Sequence, residues 1–293
     1  DTLLLNTTGQ KNVAVGAYAL DANTTADHNV AVGYAALSSN TTGSPNTALG
    51  TYTLVLNSTG VRNTAVGYYA LYANTTGTNN TALGESTLSS NTTASNNTAL
   101  GYNGLTANTT GTQNTAVGVY ALDANTTGYN NTSIGYNSLS TNVTGIDNTA
   151  VGKSTLNENT ASNNTAVGSD AMEKNTTGGD NTSVGKNALK YNTTGANNTA
   201  LGFGALSANT TSTGNTAVGA NALDANVTGA QNVALGLEAL GANTTGSYNT
   251  AVGGYTLHDN TTTSSNVAVG DHALHSNTGS SYLVAVGVNA ARL

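Results

Sequence analysis

The sequence predicts an all-β fold, a parallel β-solenoid with one coil per 17 residues and about 17 coils. Three observations carry this. A unit close to N-T-A-V-G-x-x-A-L-x-x-N-T-T-G-x-x runs through the chain, its leading glycine at Gly16, Gly33, Gly50 and so on to Gly287; every spacing is 17 except Gly152 to Gly168, which is 16. A unit this short buries apolar surface only by stacking on its neighbours. Gly, Asn and Thr are too abundant for helix, and no 3.6-residue apolar stripe persists. Turn residues recur every 8–9 residues, the spacing of strand, turn and strand. The unbroken period predicts a single repeat-built domain over residues 1–293, and both ends fall inside a repeat, as expected for part of a longer fibre.

Positions are numbered from the repeat glycine. Position −1 is always aliphatic, as in Val15, Val32, Leu49 and Val66. Position −3 is Thr, or Val at Val13, Val30, Val233, Val267 and Val284. A site that exchanges Thr for Val is β-branched and is expected to face inward. Between them stands Ala, or Ser at Ser133 and Ser183, so strand alternation places the small residue on the opposite face. The glycine makes the first corner. A second strand is expected over x-x-A-L-x-x, with Leu at position +4 (Leu20, Leu37, Leu54) and a small residue before it. The wider corner is N-T-T-G.

Asn fills position +7 in every coil, and another Asn fills position −4 except at Leu283. Neither Ser, Asp nor Gly substitutes at +7, which argues for more than turn propensity. Stacked coils put Asn23, Asn40, Asn57, Asn74, Asn91, Asn108 and Asn125 directly over one another, as an amide ladder. The same asparagines are formal glycosylation acceptors of the N-x-T type, but the corner-building role explains them better.

Charged residues are 7% of the chain, far below the usual level of about a quarter, and the net charge of −7 is thinly spread. Disorder does not explain this composition, because it does not require an aliphatic residue at one phase of every repeat. No basic patch exists, which argues against nucleic acid and anionic membranes as partners. Cysteine is absent, so disulfides and thiol chemistry are excluded. No apolar run approaches the ~18–20 residues of a membrane span.

All 21 charged residues fall at six positions, +1, +2, +5, +6, +11 and +12, and the four histidines obey the same rule. Those positions are expected to face water. Neither face of the N-T-A-V strand ever carries a charge. One face fills the coil interior; the other needs a cover, most simply a second copy of the chain. The face bearing Ala14, Ala116 and Ala217, or that of the Ala–Leu pair, is expected to meet that copy, with end-to-end growth as a further expectation.

The segment N-x-A-V-G, written NVAVG at residues 12–16, 29–33 and 266–270, resembles the head repeat of YadA-type trimeric autotransporter adhesins. The longer unit with N-T-T-G is similar to repeats of phage tail fibres and bacterial surface fibres. The resemblance covers essentially the whole chain. It implies a left-handed β-roll, a homotrimer and an extracellular setting at a cell surface, filament or virion. The period here is longer than the head repeat, and the neck, stalk and membrane anchor of such adhesins have no counterpart in this sequence.

No catalytic set of nucleophile, base and orienting group can be assembled, so no enzyme, cofactor or metal is expected. His258, His272 and His275, beside Asp259 and Asp271, are explained better as solvated residues than as a metal site, since they occupy the usual charge positions. Gly178-Gly179-Asp180-Asn181 hints at a calcium turn but occurs once, whereas calcium-binding rolls repeat their aspartate. Tyrosines gather one or two residues after the glycine, at Tyr18, Tyr34, Tyr52, Tyr68, Tyr102, Tyr120 and Tyr136. Such a stripe suits recognition of cell-surface carbohydrate or protein, and equally plain shielding of strand edges. The expected function is therefore the shaft of an extracellular fibre or adhesin. The alternative is an ice-binding solenoid using the threonines of N-T-T.

Overall fold

A computed structural model describes residues 1–292 of the chain. They form two compact units, Asp1–Asp147 and Asn148–Leu293. The first holds eight parallel strands, from Val13–Val15 to Thr132–Ile134, successive strands within the unit pairing in register. The second holds nine, from Thr149–Val151 to Val284–Val286, paired in the same way. Each unit is thus a β-solenoid that places like residues over like, and no helix occurs among the described residues.

Only one strand forms per coil. The expected second strand is a run of turns in which positions +2 and +4 both take positive φ, as at Tyr18 (62°) and Leu20 (50°) or Tyr120 (55°) and Leu122 (53°). A left-handed Leu costs about 1–2 kcal/mol. Two gains offset this. The Leu side chain becomes completely buried in almost every coil, worth about 1.5–3 kcal/mol. Its N–H still reaches the neighbouring coil, as Leu37 N donates to Thr53 O at 3.0 Å. The N–H of position +2 points to the opposite neighbour, as Ala35 N donates back to Ala17 O at 2.9 Å, while Ala36 N between them bonds Gly33 O of its own coil. Inter-coil hydrogen bonds therefore continue where the β-ladder ends.

The strand is inverted relative to the expectation. The Ala at −2 is fully buried in nearly every coil, including Ala116 and Ala217. The residues at −3 and −1 are partly or fully exposed in all 17 strands. Ala14, Ala116 and Ala217 therefore belong to the interior and not to a contact with another chain. The reason is width: Leu at +4 already fills the narrow coil, leaving room opposite for a methyl group but not for Val. Ser133 and Ser183 keep the inward placement by donating to main-chain carbonyls across the coil, Ser138 O at 2.8 Å and Ala188 O at 2.9 Å.

The leading glycine is required by close approach and by φ together. At Gly101 φ is 118°, and a Cβ there would sit 2.6 Å from Gly118 O of the next coil. The 16-residue spacing is absorbed in the wide corner: Asn159 Nδ2 donates to Ala161 O at 2.8 Å, two residues on instead of three, while Thr165 stays in register with Thr149.

Candidate functional site

Three surface features and one interior feature follow from this stacking. The interior feature is the amide ladder. Asn57 Nδ2 donates to Asn40 Oδ1 at 2.8 Å, and the same contact repeats through Asn74, Asn91, Asn108 and Asn125. Asn23 and Asn40 make it as well, to Asn6 and Asn23. In the second unit Asn192, Asn209 and Asn243 continue the pattern. The asparagines at −4 form a second column that sequence reasoning left unassigned: Asn114 N donates to Asn97 Oδ1 at 2.9 Å. Both columns meet at the carbonyl of position +10, where Gly128 O accepts from Asn125 Nδ2 at 3.0 Å and Asn114 Nδ2 at 2.8 Å. From Asn23 to Asn260 the ladder asparagines are buried, so the folded chain does not present them for glycosylation. The first threonine of N-T-T is also structural, since its hydroxyl donates to the next coil, as Thr109 Oγ1 does to Thr126 O at 3.1 Å.

The first surface feature is the outer face of the strands. It carries Val, Leu, Ile and Thr and no charge in either unit. In the first unit Thr64, Thr81, Thr98, Thr115 and Thr132 stand in register on successive coils, beside Val66, Leu83, Leu100, Val117 and Ile134. Sequence reasoning found the missing charge but assigned the outward face to the small residue instead of to these.

The second is a tyrosine column in the first unit. Tyr18, Tyr34 and Tyr52 pack edge to face, with centroids 5.6 and 5.3 Å apart. The run continues through Tyr68, Tyr69 and Tyr72. After a gap, Tyr102, Tyr120 and Tyr136 repeat it at 5.5 and 6.5 Å. The seven tyrosines singled out from the sequence are thus brought together as two groups. Partial burial raises Tyr52 and Tyr120 above the usual phenol value, with neighbouring phenols adding to the shift.

The third lies in the second unit, where the columns are ionic. Lys174 Nζ bridges Glu158 at 2.5 Å and Glu173 at 3.2 Å, and Lys190 reaches Glu173 at 3.3 Å. Further on, His258 Nδ1 lies 2.7 Å from Asp259 Oδ1, and His275 Nδ1 lies 3.5 Å from Asp259 Oδ2. Glu238 Oε2 is 3.3 Å from His258 Nε2. His258 stacks on His275, and His275 on His272, each at 5.2 Å; Tyr255 covers His272. The hydrogen bond from His258 holds Asp259 below the ordinary carboxylate value, and burial pushes His275 below the ordinary imidazole value.

One charge position departs from the expectation of full solvation. Position +5 is half-buried, and burial raises Asp123 and Asp224 above the usual carboxyl value. Backbone hydrogen bonds from Asp123 and Ala124, and from Asp224 and Ala225, offset part of that rise. No helix among the described residues is long and apolar enough to cross a membrane. The chain matches no protein-family model, and no curated protein is significantly similar to it.

Proposed function

We propose that this chain is the shaft of an extracellular fibre or adhesin, of the kind found in phage tail fibres and microbial surface filaments, built from identical copies. The carrying observation is the outer strand face, which is exposed yet never charged in all 17 strands. A solvated sheet face ordinarily alternates to polar and charged residues. Large exposed apolar patches mark interaction surfaces. A face that repeats the same residues each coil is self-complementary, which suits symmetric packing of copies. The resemblance to trimeric adhesin heads makes a homotrimer the preferred state. Among the described residues no interior nucleophile is paired with a base, and binding through surface and repetition is favoured over catalysis. The tyrosine column is the preferred contact for cell-surface carbohydrate or protein.

Analytical ultracentrifugation with electron microscopy tests this. A trimer or filament is expected, with Leu100→Lys plus Val117→Lys giving folded monomers, since both side chains point outward. A stable monomer at all concentrations, unchanged in the double variant, overturns the reading.

A second reading, ice binding, is supported by one observation. The in-register outward threonines at position −3 make a regular array beside aliphatic residues, unlike the N-T-T threonines, whose first hydroxyl is used internally. Thermal hysteresis that disappears in Thr98→Lys would favour it over the fibre.

A further inference from the structure

We propose that His258, Asp259 and His275 form a binding site for a divalent transition metal, with zinc the ion that fits their donors. One ligand atom from each lies within 4.8 Å of the other two. The stacking creates this convergence. His258 and His275 share position +5 on consecutive coils, and Asp259 follows His258, so its two oxygens face one imidazole each. Histidine occupies +5 on successive coils nowhere else in the chain.

The donor chemistry selects the metal. Two imidazoles and a carboxylate suit zinc and its neighbours, whereas calcium and magnesium require six or more oxygens. Bonds near 2.1 Å put tetrahedral donors about 3.4 Å apart. The His258–Asp259 and His275–Asp259 separations of 2.7 and 3.5 Å bracket that distance. Small side-chain rotations therefore close the site, leaving a fourth position for water.

One further feature supports a metal over simple ion pairs. Glu238 Oε2 faces the far nitrogen of His258 at 3.3 Å, the outer-carboxylate arrangement that orients a ligating imidazole through its other N–H. The rings of His258 and His275 stack at 5.2 Å and 16°, and they tilt toward each other for both nitrogens to point at one ion. The three side chains keep 29, 40 and 21% of their surface exposed, enough for an ion to enter from solvent.

Isothermal titration of the chelator-stripped full chain with zinc chloride is the test. One saturable site in the micromolar range is expected, and imidazole NMR signals of His258 and His275 should move while that of His28 does not. His275→Asn and Asp259→Asn should each weaken binding by more than about tenfold; Glu238→Ala should cost about tenfold, and Glu238→Gln less because an acceptor is kept. Circular dichroism checks that each variant is folded. Absence of saturable heat to millimolar zinc overturns the proposal. So does binding that calcium reproduces, or that persists unchanged in the His258→Asn, His275→Asn double variant, since either would be diffuse attraction to surface carboxylates.

Discussion

The two units share one coil and differ in what they display. Residues 1–147 carry a column of phenol rings in van der Waals contact. Residues 148–293 carry alternating acids and bases at the neighbouring positions, and every described ion pair belongs to this unit. Both columns exist because stacking puts one position of each repeat directly over the next. A side chain that meets its own kind 17 residues later can be aromatic, or it can alternate in sign, but a column of one charge would repel itself. The interior leaves less choice: Ala, Leu and the two asparagines recur in both units at positions buried in nearly every coil. The lesson is that the scaffold is set by the interior, and the surface columns vary independently of it.

Interior substitutions test the shared part and should have the largest effect. Ala116→Glu places a carboxylate opposite Leu at a fully buried site. It should cost more than about 4 kcal/mol and unfold the surrounding coils instead of merely separating chains. Loss of strand signal by circular dichroism checks this; a folded variant with native stability would contradict the placement of Ala116.

Ladder substitutions should act alike in both units. Asn108 donates to Asn91 Oδ1 and Gly111 O at 3.0 Å each. Asn209 donates to Asn192 Oδ1 at 2.7 Å and Ser212 O at 3.2 Å. Changing either to Ala leaves the buried Oδ1 of the preceding ladder asparagine, Asn91 or Asn192, without its donor, while the carbonyl keeps its bond from the second column, at about 2 kcal/mol. Hydrogen exchange of the adjacent coils should report similar losses of protection. A large difference between the two variants would break the equivalence of the interiors.

The columns should separate by salt. Tyr34→Ala removes ring contacts to Tyr18 and Tyr52 and should cost about 1–2 kcal/mol, with little dependence on sodium chloride. Lys174→Gln should cost at most about 1 kcal/mol at low salt, and the difference should vanish near 1 M, where the Debye length is about 3 Å. Exchange protection of each variant at both salt concentrations distinguishes the cases.

The smallest effect concerns position +5, which the units share. Asp123 and Asp224 have carboxyls raised above 3.8 mainly by burial. As pH falls, the folded chain takes up these protons before the unfolded chain does. The ionised groups therefore weaken the fold at neutral pH, and the penalty shrinks between the raised value and 3.8 and is gone below it. Asp123→Asn and Asp224→Asn should each stabilise slightly at pH 7, within about 0.5 kcal/mol, and make no difference at pH 3. Denaturant titrations at the two pH values check the sign.

Much of the site was legible from sequence because each column is a fixed phase of the repeat. The tyrosines and ladder asparagines needed only the period. The histidine cluster was visible as residues but not as geometry, since nothing in the spacing says that Asp259 turns one oxygen toward each ring. The left-handed turns left a trace that was passed over: position +2 carries Asn or Gly at Asn103, Asn137, Asn187, Gly204 and Asn221, residues that adopt positive φ readily. Leu at +4 gave no such signal, because Leu seldom takes that conformation and does so here only to fill the core.

The sequence by itself determined the period, the parallel stacking, the glycine corner, the asparagine ladder and the positions closed to charge. These depend on what recurs, and recurrence is readable without coordinates. Only the tertiary structure decided which strand face is interior and whether the Ala–Leu segment is a strand. A three-residue strand alternates equally well either way round, and here both faces are uncharged. The choice falls to volume: once left-handed backbone turns Leu into the narrow coil, only Ala or a hydrogen-bonded Ser fits opposite it, and Val, Leu and Thr must point outward.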